Sequence, residues 1–313
     1  MRLRRILSII PIVLVVSFLV FLLQEFLPGD PAATLAGEGA TPERIEQVRD
    51  DLGLDDSVVQ RYTAWLGDAV RGDLGTSLFT RRPVTQELGA RYSVTFSLVI
   101  GALLVSIVVS VPAGMLAAVY RGRWPDRLTT VLATLGVAVP HFIIGLFMLV
   151  IFGLTLRWLP TGGYVPWAVN PGDWFRHLVI PVLSLSGIMI AQMTRQIRSS
   201  MVEVLDQDYV RTARAKGLSA GAIATKHVFR MAAGPTLAIM SVQVARLLGG
   251  VVVIETVFAL PGLGRFTAES IMLRDLPVIA GIVPFAVLLT VLADVLADVA
   301  QTALNPRLRE RLP

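Results

Sequence analysis

Five or six apolar runs, each near the roughly 20 residues that a helix needs to cross a bilayer, constrain this 313-residue chain more than any other feature. They lie at 6–27, 93–119, 128–156, 178–194, 236–258 and 277–303. The fourth is the weakest, being short and holding Pro181 and Gln192. Charged residues make up 16% of the chain, against about 25% in soluble proteins, which points the same way. The pattern predicts an all-α integral membrane protein with six transmembrane helices. The first run follows Met1-Arg-Leu-Arg-Arg. Its apolar core is longer than the roughly 7–15 residues of a signal-peptide core, so an uncleaved anchor is expected.

Orientation follows from Lys and Arg in the short loops. With the N-terminus inside, segments 2–5, 121–127, 195–230 and 307–311 place sixteen of them on the cytoplasmic side, against four outside (Arg157, Arg176, Arg265 and Arg274). Both termini are thus expected in the cytoplasm. The loop 28–92 has seven Arg and eleven Asp or Glu, and a loop that long is translocated largely regardless of charge. The net charge of +5 is therefore a membrane signature, and nucleic acid is not an expected partner. Cysteine is absent and the three histidines (His141, His177, His227) lie far apart. This excludes a disulfide framework, a thiol nucleophile and a Cys-ligated metal. The expected organisation is an N-terminal helix with its extracytoplasmic segment (1–92), a five-helix core (93–306) with a large cytoplasmic loop at about 195–234, and a tail (307–313).

The long outer loop carries two helix signals. Thr41-Pro42-Glu43 supplies a cap and an N1 proline before Ile45, Val48 and Leu52, with Gly53 as the stop. Ser57 can cap a second helix whose one face holds Val58, Tyr62, Trp65 and Ala69. Amphipathic helices there either pack on the rim of the bundle or offer a docking surface.

The segment "DYVRTARAKGLSAGAIATKHVFR" (208–230) holds six Arg, Lys or His residues between two apolar spans. Val202, Leu205, Tyr209 and Thr212 fall on one helical face. Gly217 suits the left-handed position that ends a helix, with Leu218 as the apolar residue after it, and Ser219 can cap a second helix containing Ile223, His227 and Arg230. A basic helix resting on anionic headgroups is one reading of this helix–turn–helix. A DNA reader tethered between two spans cannot easily enter a groove. A rigid knob seated in a partner protein is the third reading, and the defined corner at Gly217 favours it.

Arg211-Thr-Ala213-Arg-Ala-Lys-Gly217 resembles the "EAA" loop of ABC importer permeases, whose pattern is Glu-Ala-Ala, three residues, then Gly. Here Arg211 and Thr212 stand where the first Glu and Ala would fall. Pro235, "LPGDPA" (27–32), "RGDLGTSLFTRRPV" (71–84) and "ETVFALPGLGRF" (255–266) are similar to the dipeptide/oligopeptide branch, so the resemblance covers nearly the whole chain. It implies a type I ABC importer transmembrane domain in a prokaryotic plasma membrane. It also implies four kinds of partner: a second homologous permease subunit, two ABC ATPases, an extracytoplasmic substrate-binding protein and membrane lipid. Tyr209, Arg211, Ala213, Arg214, Lys216, Gly217 and Leu218 would then dock on an ATPase. The chain has no G-x-x-x-x-G-K-[ST] phosphate cradle. No cofactor or metal is expected on it, and ATP and magnesium belong to the ATPases. The implied cargo is a short peptide, with nickel and glutathione open in the same branch. A secondary transporter and a membrane-embedded enzyme built on Asp294 and Asp298 are the readings from other classes.

Ionisable groups at the bilayer centre cost roughly 2.5–3.5 kcal/mol on insertion scales unless they face protein or water. Arg246, Asp294 and Asp298 are therefore candidates to line a path, or to form an ion pair that only holds helices together. Glu25 and Glu255 lie near the outer ends, where an interfacial position is expected. His141 is expected to be satisfied within the bundle, and Met189 and Met193 to be core. Pro140 and Gly249-Gly250 are candidate bends, with close helix packing as the alternative for the glycines. Pro261, Gly262 and Gly264 are expected to shape a tight outer-loop turn.

Overall fold

The computed structural model describes residues 2–26, 30–37, 39–51 and 53–304. The chain is helical, with no strand among the described residues. In order the helices are α1 (Arg2–Phe26), α2 (Pro31–Ala36), α3 (Pro42–Asp51), α4 (Val58–Val70), α5 (Val84–Val119), α6 (Trp124–Ala138), α7 (His141–Met148), α8 (Pro171–Leu205), α9 (Asp208–Ala215), α10 (Ala220–Ala222), α11 (Phe229–Val257), α12 (Leu263–Leu273) and α13 (Leu276–Leu304). Wider π-helical turns extend α7 over Leu149–Thr155 and join α10 to α11 over Ile223–Val228. Two helices among the described residues, α5 and α8, are individually long and apolar enough to cross a membrane. Counting each bent pair (α6 with α7, and the two halves of α11) as one span gives four. Shorter apolar helices lie at Ile10–Leu23 and Leu276–Leu288. The tail 307–313 and residues 27–29 of "LPGDPA" lie outside the described residues.

One of the expected spans differs from the sequence pattern. The weak fourth run is the middle of the 35-residue α8. Asn170 caps it by accepting from the Gly172 and Asp173 amides, and Pro171 opens it. Pro181 does not end it because Leu178, Ile180, Leu185, Met189, Met193, Ile197 and Met201 are all buried, so packing outweighs a locally poor residue. The third span turns by 100° between Trp124–Ala138 and His141–Thr155, at the candidate bend Pro140. Pro140 disfavours the helical region for the residue before it; Val139 is extended, at φ −95° and ψ 125°.

Packing divides the chain into two compact units, residues 1–93 with 265–289, and 94–264 with 290–313. In the first, Ser57 and Gln60 close a capping box at the start of α4. Its Tyr62 is buried against Phe18 and Phe21 of α1. The Tyr62 hydroxyl donates to the Leu14 carbonyl at 3.1 Å, and Arg61 pairs with Glu25. Helix α4 is thus a packing element on the face expected. Gly53, at φ +60°, ends α3. The 71–84 segment folds back on itself through the Thr76–Pro83 bridge. It is pinned by Asp275, which accepts from Ser77 Oγ at 2.5 Å and the Leu78 amide at 3.1 Å. In the second unit α8 is the central helix, with α6, α7 and α11 against it. Its core includes Leu98, Ile180, Met189, Met193, Ile254 and Phe258, so both methionines are core as expected.

Candidate functional site

Three features stand out in the second unit, and the first is the basic elbow joining α8 to α11. α8 ends at Leu205, Asp206 and Gln207 turn the chain, and α9 starts afresh at Asp208. This break corrects the expected single face through Val202, Leu205, Tyr209 and Thr212. The restart shifts the register, so Val210 is the buried residue of α9, while Tyr209 and Thr212 are exposed. α9 ends as its sequence specifies: Gly217 has φ +78°, its amide donates to Arg214 O at 2.9 Å, and the Leu218 amide donates to Ala213 O at 3.3 Å. These are the paired bonds of a glycine-terminated helix. Ser219 Oγ then accepts from the Ala222 amide at 3.3 Å and opens α10.

The elbow has an apolar inner side and a basic outer side. Val210, Ile223, Ala224 and Val228 pack on Ala118, Ile197, Met201 and Val204, with Ala213 half-buried beside them. Arg211, Arg214, Lys216, Gly217 and Leu218 are exposed. The Tyr209 phenol is held above its ordinary pKa by partial burial. Among the described residues Arg211 makes one ionic contact, with Asp208 at 3.4 Å. Beneath the elbow, Arg198 pairs with Asp126, whose carboxylate also accepts from the Gly122 amide at 2.8 Å. Arg121 pairs with Asp206 at 2.9 Å. These bonds brace the 120–127 turn against the end of α8. A cleft of about 240 Å³ lies among Arg121, Asp206, Arg214, Leu205 and Ile223.

The second feature is a polar patch in the seam between α8 and α11. Gln192 Oε1 accepts from Gln243 Nε2 and, at 3.4 Å, from Arg246 Nη1. Gln243 is 4% exposed, whereas Arg246 is exposed. α11 changes direction by 43° between Gly234–Val244 and Arg246–Val257, so the bend lies beside Arg246 and not at Gly249-Gly250. Gly250 serves the close-packing role instead: an added Cβ would sit 3.3 Å from both His141 Nε2 and Leu185 Cδ1. His141 departs from expectation, because its buried Nε2 has no hydrogen-bond partner among the described residues. Asp294 and Asp298 lie outside the residues whose side chains are described.

The third feature is the turn after α11. Glu255, expected at the interface, is fully buried. Its Oε1 accepts from Thr95 Oγ at 2.6 Å, and that hydroxyl accepts from the Leu263 amide at 2.9 Å. A side chain at Gly262 would collide with the Glu255 carboxylate, which occupies the space beneath the turn, and one at Gly264 would collide with Val252. Pro261 stays exposed at its tip. The sequence reading missed Glu255 and Thr95 as turn-formers, and Gln192 and Gln243 as partners of Arg246. The signals available were amides inside apolar runs, and glycines seven and nine residues after a glutamate.

A bundle of apolar helices, some broken in mid-span, with a jointed basic elbow on one end, defines a multi-pass membrane transport subunit. Residues 110–310 match the family model described as binding-protein-dependent transport system inner membrane component, and residues 1–99 match the model for the N-terminal part of such components. The chain belongs to this family: it is a permease subunit of an ABC importer and not itself an enzyme. A Brucella abortus (strain 2308) protein named as a peptide transport system permease is 42% identical over 307 residues, covering 98% of each chain. The glutathione transport system permease protein GsiC of Escherichia coli (strain K12) is 40% identical over 306 residues, covering 98% of this chain and 97% of that one. A chain of the inward-facing MetNI methionine ABC transporter superposes with a TM-score of 0.59 at 16% identity, covering 70% of this chain and 97% of that one, a likeness of fold.

Proposed function

We propose that this chain forms half of the translocation path of an ATP-driven, binding-protein-dependent importer of di- or oligopeptides. Its companions are a second homologous permease, two cytoplasmic ATPases that hold ATP and magnesium, and an extracytoplasmic receptor. The observation that carries this reading is the elbow. A glycine-terminated corner with Val210 and Ile223 anchored in the bundle and Arg211, Arg214, Lys216 and Leu218 turned outward is a rigid lever with a contact face. Closure of the ATPases on ATP would pull on that face and swing the attached spans between two states that bind solute differently. The sixteen-to-four distribution of Lys and Arg supports a cytoplasmic position for both termini and the elbow. The likeness to GsiC favours glutathione, itself a tripeptide, as the second reading of the cargo.

The chain has no cysteine, so single introduced cysteines give an unambiguous test. A cysteine at Lys216 should react with impermeant reagent only in inside-out vesicles, and should crosslink to an ATPase subunit in the assembled complex. Reaction from the outside, or purification without any ATPase in mild detergent, would overturn the reading.

A further inference from the structure

We infer, on the basis of the importer reading above, that the seam between α8 and α11 reads a side-chain carboxylate of an acidic peptide in transit, with Arg246 as the group that binds it. Arg246 lies seventeen positions into the 29-residue α11, where a guanidinium is tolerated only if it faces protein or water. A guanidinium has five N–H donors, yet among the described residues Arg246 makes one contact. That contact is long, at 3.4 Å, to an amide oxygen already engaged by Gln243. No carboxylate pairs with it among the described residues. Gln243 is almost wholly buried, so the amide pair is a fixed rest for the exposed guanidinium.

Two neighbouring features fit a polar visitor. The helix bends beside Arg246, as helices do where solute sites are built in the membrane. One helical turn further along, about 6 Å for four residues, Gly250 lies against His141, whose buried Nε2 is unpaired among the described residues. The ligand class follows from the planar fork of the guanidinium, which matches a carboxylate through two parallel hydrogen bonds. A single cation held by amides also suits transit, since the anion must leave again.

The test uses the full complex (both permeases, ATPases and receptor) in liposomes, with labelled Ala-Asp-Ala and Ala-Lys-Ala as probes. Because the receptor is unchanged, the effect of a variant on the ratio of the two import rates reports the membrane path. Arg246→Gln is expected to lower Ala-Asp-Ala import at least tenfold more than Ala-Lys-Ala import. Arg246→Lys should keep both within about threefold of the unaltered complex. An unchanged ratio, or a complex that no longer assembles because Arg246 pairs with a neighbouring chain, overturns this inference and leaves the importer reading standing. ATP-independent import by the unaltered complex overturns the importer reading instead, and transport of neither peptide counts against both.

Discussion

The carboxylate of Glu255 fills the space that a side chain at Gly262 would need. The two residues therefore specify one another: the glutamate holds the turn through Thr95 and the Leu263 amide, and the glycine lets the backbone lie directly on the carboxylate. Gly262→Val is expected to destabilise the unit by the cost of overpacking, about 1–3 kcal/mol, seen as a lower melting temperature in detergent. Glu255→Gln keeps an acceptor for the Thr95 hydroxyl and should melt close to the unaltered protein. Glu255→Leu removes that acceptor and should cost about 1–3 kcal/mol. Equal melting of the Gln and Leu variants would show that the hydrogen-bond chain contributes nothing.

At Gly217 the constraint is conformational rather than steric. An added Cβ meets no atom within 4 Å, but φ is +78°. A β-branched residue is disfavoured there, whereas asparagine visits this region readily. Gly217→Val is expected to abolish ATP-driven uptake while membrane insertion stays intact, and Gly217→Asn to retain most of it. Uptake assays alongside membrane fractionation check both, and full transport by the Val variant would refute a lever at this corner.

How much of this was legible beforehand differs element by element. Local chemistry read through well: Ser57, Ser219, Gly53 and Gly217 all cap or end helices as their side chains and backbone freedom dictate. The elbow was visible as a charge pattern, and Pro140 as a break. What failed were inferences that needed a partner. The length of α8 depends on helices packed along it, which override Pro181. The register of α9 depends on the turn at Asp206–Gln207, which has no strong sequence signal. The burial of Glu255 depends on Thr95, 160 residues away. A single sequence carries helix ends and periodicity, but not which distant hydroxyl will meet a carboxylate.

Asp275 is 3% exposed and anchors the 71–84 segment through Ser77 and Leu78. Asp275→Ala leaves a buried hydroxyl and a buried amide without their acceptor, at about 1–3 kcal/mol. The expected outcome is local release: faster proteolysis within 71–84 than in the unaltered protein, with the elbow equally protected in both. Unchanged cleavage would mean that Leu78 and Val84, both buried, hold the segment without the carboxylate.

Tyr62 ties α4 to α1 in two separable ways. Its ring lies edge-on to Phe18 at 5.2 Å and to Phe21 at 5.5 Å, and its hydroxyl reaches Leu14 O and Ser17 Oγ. Tyr62→Phe keeps the ring and loses the hydroxyl, so the expected cost is about 1 kcal/mol. Tyr62→Ala removes the ring as well and should cost about 3–5 kcal/mol, read as the difference between the two melting curves. The same helix exposes Val59 at 58%, away from that contact. If α4 is a packing element, Val59→Asp leaves receptor-dependent uptake unchanged. If that face docks the receptor, the added charge on an apolar contact lowers uptake without lowering the melting temperature, so the pair of measurements separates the two roles.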